Sequence, residues 1–322
     1  MKTITAFAPA TVANLGCGFD IMGLAIKGEG DIVSVQLAED MQHPEYKEDN
    51  LSIVNRSGVD LPSSIEHNVI TPAVRAFMDS FRINMESPSS YYDIEVDILK
   101  KIYPGSGVGS SAASSSAAVY ALNNIFNSPF SEPELVYFAM QGEKLLGGVA
   151  HADNVAPAIM GGVTLIRGYS PLDIVRLPIP ENFFSAVVHP HLTVLTSEAR
   201  KVLPEGVPLR KSVSQWGNVG GLVAGFYTSD MELIARSMKD EIVEQYRKGF
   251  IPGYDELRVA AEKSGAMAMN IAGSGPSVFA VCNNAESAEK VGKVMHKHFI
   301  DRKIDCDIFV NTISQSGAKI IE

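Results

Sequence analysis

The sequence is poor in several features that would settle its class at once. Cysteine is scarce: Cys17, Cys282 and Cys306 are odd in number, far apart and in no C-x-x-C pair. That argues against a disulfide framework and suits a reducing cytoplasm. Positive charge is also short, with 27 Lys and Arg against 37 Asp and Glu, a formal net charge of -10. Nucleic acid and anionic membrane are therefore not expected as partners, since both select an excess of positive charge. Any anionic ligand must be held locally. The opening "MKTITAFAPATVANLG" lacks the continuous apolar core of a signal peptide. No run approaches the roughly 18 apolar residues of a membrane helix, so a soluble, cytoplasmic protein is expected.

What is present is ordinary for a globular chain: 322 residues, 46% of them hydrophobic and 20% charged, enough for a well-buried core and two domains. "ITAFAP" and "DIVSVQL" read as strands, and "YDIEVDI" places Ile94, Val96 and Ile98 at period two. From Ser110 the pattern turns helical, with Ala112, Val119, Leu122 and Phe126 on one face. A second helix is predicted over "SEPELVYFAMQGEKLL", opened by a Ser131–Glu134 capping box. Strand-like "GVTLI" and a proline-rich segment follow. The domain boundary falls near Gly168, within about ten residues, giving units 1–168 and 169–322. "FFSAVVH" then reads as a strand, residues 210–248 as helical, and the chain closes in the order helix, strand, strand, helix, strand. That order matches most of a ferredoxin-like β-α-β-β-α-β unit. The fold class is α+β.

The stretch "YPGSGVGSSAASSSAAVYALNN" has the composition of a linker, yet it lies between a strand and a helix with an apolar face. Gly105, Gly107 and Gly109 let the backbone approach a ligand and take positive φ. The free N–H groups that open the helix supply partial positive charge. Such a turn holds phosphate without a basic protein. Two familiar phosphate motifs fail here. Ser110 stands where the third glycine of G-x-G-x-x-G belongs, and the Walker A lysine is missing. A Gly-rich turn capped by Ser110 is the plainer alternative. Leu135, Ala139, Glu143 and Leu146 share one helical stripe, so Glu143 points inward and needs a partner, either a cation or a nearby Lys or Arg such as Lys144. Mg²⁺ shared with ATP phosphates and a hydroxyl of Ser110 or Ser111 would serve. His189 and His191 have no third ligand close in sequence, which argues against a zinc site.

Three blocks now stand together: "PATVANLGCGFDIMGLA", "PGSGVGSSAASSSAA" and "AGSGPSVFAV". They resemble the three motifs of the GHMP kinase superfamily. "QGEKLLGGVAHADNVAPAIMGG", "TSEARKVLP" and "VEQYRKGFIPGY" resemble segments of its homoserine-phosphorylating branch, and the six blocks cover nearly the whole chain in order. The resemblance implies a two-domain fold, an N-terminal ribosomal protein S5 domain 2-like domain and a C-terminal ferredoxin-like domain. It implies ATP-dependent phosphorylation of the L-homoserine hydroxyl in threonine biosynthesis, with Mg²⁺, by a homodimer. Position by position, Asn14 and Asp20 would hold the substrate's hydroxyl and amino ends. Thr196, Arg200 and Arg247 would face the substrate. Pro104, Gly105, Ser106, Gly107, Val108, Gly109, Ser110 and Ser111 would wrap the ATP phosphates. Ser111 and Glu143 would ligate Mg²⁺, Asn68 would contact adenine, and Lys101 would lie beside the nucleotide.

The residue chemistry agrees: two arginines suit a carboxylate, an Asp an ammonium and an Asn a hydroxyl. The resemblance further implies transfer without a strong base, with Asn154 near the acceptor; the adjacent Asp153 is expected to be a structural cap pointing elsewhere. Cys17 and Thr11-Val12 depart from many relatives, and neither departure is expected to touch a site contact. His151 is open between a place in the acceptor site and a structural role. A mevalonate- or shikimate-type kinase is the runner-up; a non-catalytic ligand-binding protein and a Rossmann dehydrogenase are weaker still.

Overall fold

The computed structural model describes residues 2–38, 48–62, 64–84 and 91–321. Its larger sheet contains β1 (Lys2–Ala13), β2 (Met22–Leu37), β3 (Asn50–Asn55), β4 (Asp93–Lys100), β5 (Val163–Tyr169) and β6 (Leu172–Leu177). The 16-residue β2 pairs with β5 through its first residues and with β4 through its last, while β1 runs antiparallel along both parts. The β1–β2 register shifts between Pro9 and Thr11, where proline has no N–H to give the ladder.

Against this sheet pack α1 (Ile70–Asn84), α2 (Ser110–Ile125), α3 (Glu132–Ala139), α4 (Gln141–Gly147) and α5 (Val155–Met160). The core between them gathers Val33, Val35, Val96, Val119 and Leu122 around Phe77, which contacts the rings of Phe81, Phe126, Phe130 and Phe138. The single helix expected over 131–146 is two helices that turn at Met140. That turn brings Gly142 so close that a Cβ there would lie 2.5 Å from Ser115 Oγ and 2.6 Å from the Val69 carbonyl. The capping box between Ser131 and Glu134 is formed.

The smaller sheet contains β7 (Phe184–Pro190), β8 (Ala268–Ile271), β9 (Val278–Cys282) and β10 (Cys306–Thr312), in the antiparallel order β10-β7-β9-β8. Between β7 and β8 come α6 (Thr196–Lys201), α7 (Leu209–Thr228), α8 (Met231–Ser237), α9 (Glu244–Arg247) and α10 (Tyr254–Ser264). Three of these occupy the stretch that reads as continuously helical in the sequence. After β9, α11 (Ala285–Ile300) precedes β10. With α10 and α11 as its two helices, this unit has ferredoxin-like order. Leu257, Val291, Met295 and Phe299 pack on Ala186, Val188 and Val278 of the sheet.

The two sheets share a third core, where Leu24, Val163 and Leu177 meet Val187, Phe226 and Phe279. The chain then returns to the first unit, with Ile313 bridging Ile26 and β11 (Lys319–Ile320) pairing with β1. β6, which ends at Leu177, still belongs to the first sheet, and β7, which begins at Phe184, to the second. The turn after Tyr169 folds β6 straight back onto β5, so residue 168 lies inside a hairpin.

Candidate active site

The phosphate loop takes the shape its glycines allow. Gly105, Gly107 and Gly109 have φ of 72°, 83° and 69°, a left-handed region that costs other residues strain. Close approach also demands glycine here. A Cβ on Gly107 would lie 2.6 Å from the Gly275 carbonyl, and one on Gly109 2.0 Å from Thr11 Oγ1. Gly109 is the residue before α2, so the first N–H groups of that 16-residue helix open toward the loop. Block three braces it from behind: Ser277 donates its hydroxyl to the Ser106 carbonyl at 2.5 Å and its N–H to the same oxygen at 3.3 Å.

Lys101 sits behind the loop. Its ammonium lies 2.8 Å from Asp31 Oδ2 and 2.5 Å from both Ser110 Oγ and the Ser110 carbonyl, with Asp31 fully buried. Three acceptors match its three donors, so it braces the start of α2. Ser114 also donates to Asp31, and none of this anchoring was legible from Asp31's place in the sequence. Asn68 accepts the Ile70 N–H at 3.0 Å, ordering the entry to α1 while lining the cleft.

Glu143 is 4% exposed and accepts the Ser111 hydroxyl at 2.6 Å, although the stripe expected to carry it is interrupted: the helix restarts after Met140 and Leu146 is exposed. Burial pushes its pKa up, against the pull of His151, Ser111 and Lys101. A buried carboxylate with one hydroxyl partner, beside a helix N-terminus, is a fitting donor set for Mg²⁺ held jointly with phosphate oxygens. The expected alternative partner, Lys144, is an exposed neighbour.

The other end of the cleft is built on the strained first block. Asn14 and Asp20 have φ of 73° and 57°; Asn14 accepts the Asp20 N–H at 3.1 Å and donates to the Gly273 carbonyl at 3.0 Å. Arg200 Nη2 donates to both Asp20 oxygens, at 3.0 and 2.9 Å, while its buried Nε has no hydrogen-bond partner. Arg247, 3% exposed, donates to the Ala199 and Gly273 carbonyls, and burial brings its pKa down to about 10. It stays charged at neutral pH. Both guanidiniums lie over the Phe19 ring, at 5.6 and 5.1 Å. The Asp20 pKa is raised by burial and the Asp153 charge, with Arg200 opposing.

Asn154 Oδ1 accepts the Thr11 hydroxyl at 2.7 Å, so Thr11, expected to touch no site contact, orients a side chain that lines the cleft. Asp153 also departs from expectation. It lines the same cleft as Asn154 and accepts that residue's N–H at 3.2 Å, because the two lie in the irregular lead-in to α5. His151 Nδ1 is 3.4 Å from Asp153 Oδ1, at ion-pair distance without hydrogen-bond geometry. Burial lowers the His151 pKa, but Asp153, Glu143 and Asp20 outweigh it and the net shift is upward. The structure thus puts His151 at the site.

One cleft of about 310 Å³ brings together Asn14, Asp20, Asn68, Lys101, Pro104, Gly105, Gly107, Gly109, Ser110, Ser111, Glu143, Asn154, Thr196, Arg200 and Arg247. That volume lies in the range of small-molecule pockets. Ser106 and Val108, within the same loop, are buried and lie outside the lining.

Residues 68–162 match the GHMP kinases N terminal domain, and residues 222–301 the GHMP kinases C terminal domain. A homoserine kinase of Chlorobium phaeobacteroides is 42% identical over 323 residues, covering 100% of both chains. One of Chlorobaculum tepidum is 43% identical, covering 100% of this chain and 99% of its own. The chain belongs to the homoserine kinases of the GHMP kinase superfamily. The crystal structure of homoserine kinase from Cytophaga hutchinsonii matches with a TM-score of 0.89 at 42% identity, covering 100% and 98% of the two chains. Mevalonate kinase of L. major, at 13% identity and a TM-score of 0.67, shares the fold alone. Full-length homoserine kinase matches therefore stand against the mevalonate-type alternative. Among the described residues, no helix is long and apolar enough to cross a membrane.

Proposed function

We propose that this homoserine kinase transfers the γ-phosphoryl group of ATP to the side-chain hydroxyl of L-homoserine, giving O-phospho-L-homoserine, with the residues of this cleft in the following roles. One observation carries the assignment: a buried carboxylate–hydroxyl pair at the N-terminus of α2 faces the same cleft as two arginines, an aspartate and an asparagine. The first group suits a metal-bound nucleotide, the second a hydroxyl amino acid.

The free N–H groups of α2 and its glycine loop receive the phosphates and stabilise the charge that spreads over the transferring group. Ser111 and Glu143 would hold Mg²⁺, which neutralises phosphate charge when bound. The unpartnered Nε of Arg200 and the guanidinium of Arg247 offer donors for the substrate carboxylate. Asp20 accepts from the ammonium, and Asn14 positions the hydroxyl. Asn154, fixed by Thr11, stands beside the acceptor oxygen. Phosphoryl transfer through a loose transition state depends mainly on alignment and charge neutralisation, so no strong base is required. The proposal extends to a homodimer in the cytoplasm, supported by the family resemblance; sedimentation velocity reads the oligomeric state.

A coupled assay of ATP turnover should favour L-homoserine over L-serine, L-threonine and mevalonate. Fastest turnover with mevalonate, or none with any acceptor, would sink the assignment.

A further inference from the structure

Outside the cleft, β7 and β10 assemble a second cluster of ligating side chains. His189 and Asp307 are opposite partners in the antiparallel register, so their side chains leave the sheet on one face. His191 follows two residues on and shares that face. Its N–H donates to the Asp305 carbonyl at 2.7 Å, continuing the pairing past the end of β7. A cross-strand partner 116 residues away in the chain is the third group that the sequence could not supply.

Asp307 Oδ2 lies 3.0 Å from His191 Nε2 and 3.6 Å from His189 Nδ1, and the three donor atoms all fall within 4.8 Å of one another. Tetrahedral bonds of about 2.0–2.2 Å set neighbouring donors roughly 3.3 Å apart, so both contacts to the carboxylate straddle that edge. His189 is 5% exposed, while His191 and Asp307 are 43% and 45% exposed. The cluster therefore has a buried anchor and an open side where water can complete the coordination. Its three residues are absent from the lining of the nucleotide cleft.

We infer that His189, His191 and Asp307 form a binding site for one borderline divalent transition-metal ion, of the Zn²⁺ class. Two imidazoles and one carboxylate select such an ion over Mg²⁺ or Ca²⁺, which prefer all-oxygen shells. The site adjoins the phosphate loop. The Tyr103 ring centroid is 6.2 Å from that of His191, and Val194, three residues on, donates its N–H to the Gly105 carbonyl at 3.2 Å. A bound ion would tie the end of β7 to β10 next to the strand-to-loop segment that carries Gly105.

The test is calorimetric titration of Zn²⁺ into metal-free full-length protein, with excess Mg²⁺ present to occupy Glu143, using the wild type, His191→Ala and Asp307→Asn. Both substituted side chains are about half exposed, so the variants should fold, as circular dichroism and unchanged homoserine kinase turnover will verify. One equivalent should bind the wild type, and each variant should lose about tenfold or more in affinity, since loss of a ligand should cost at least as much as loss of its outer-shell support. Co²⁺ should give a visible d–d absorption in the wild type and lose it in both variants. Absence of a one-equivalent Zn²⁺ isotherm, or unweakened binding in either variant, overturns the site; two histidines sharing a carboxylate by hydrogen bonding alone would give the first result.

Discussion

At Glu143, burial raises the carboxyl pKa, so the folded protein without metal holds a proton more readily than the unfolded chain. Its contribution is fully present below the ordinary carboxylate pKa and is lost as pH rises toward the raised folded value. Glu143→Gln removes that titration. Without metal or nucleotide, the variant should be at least as stable as the wild type at pH 8 and converge with it, or fall below, near pH 4, as thermal melts across pH will read. Its turnover should nevertheless collapse and lose its ordinary Mg²⁺ dependence; an unchanged Mg²⁺ profile would remove Glu143 from the metal site. Asp153 now carries a sharper question, because it faces the cleft beside His151. Asp153→Asn should lower kcat by well under the roughly 10²-fold that loss of a general base brings. A larger fall in a well-folded variant would replace the base-free mechanism with one using this carboxylate. Arg200→Ala should raise KM for homoserine far more than KM for ATP, and equal rises would argue against a carboxylate clamp.

The phosphate loop and α2 act as one element, and block three is their mould. Gly107→Ala combines a left-handed φ, which costs about 1–3 kcal/mol for a non-glycine residue, with a clash against the Gly275 carbonyl. It should lower the melting temperature and raise KM for ATP together; a normal melting temperature with normal ATP binding would show that the loop yields freely. The loop's conformation was legible because glycine spacing, a preceding strand and a following helix lie side by side in the sequence. The break at Met140 was not: it sets Gly142 against Val69 and Ser115, which lie 73 and 27 positions earlier in the chain, and no local period carries that juxtaposition. Nor was the tie from Thr11 to Asn154, which spans 143 positions.

Across the whole molecule, the C-terminal segment returns to the first sheet, so the first unit is not closed in sequence, whereas the second runs unbroken from β7 to β10. Ile313 is 4% exposed against Ile26, and β11 pairs with β1. A chain ending at Thr312 retains the entire smaller sheet yet should lose about 1.5–3 kcal/mol from Ile313 burial alone, and more with β11. Urea denaturation checks this, and unchanged stability would show that the return segment contributes nothing. The shared core between the sheets predicts that both units unfold together.

The sequence by itself determined most helical and strand periods, the glycine loop and, through six ordered blocks, the family. These are local patterns or residue identities, readable without knowing what folds next to them. The tertiary structure decided which residues share a cleft and what each one touches. Lys101 against Asp31, Arg200 against Asp20, Thr11 against Asn154 and Asp307 against two histidines all join distant positions. Such pairings depend on sheet register and on where the two units meet, and a hydrophobic period carries neither.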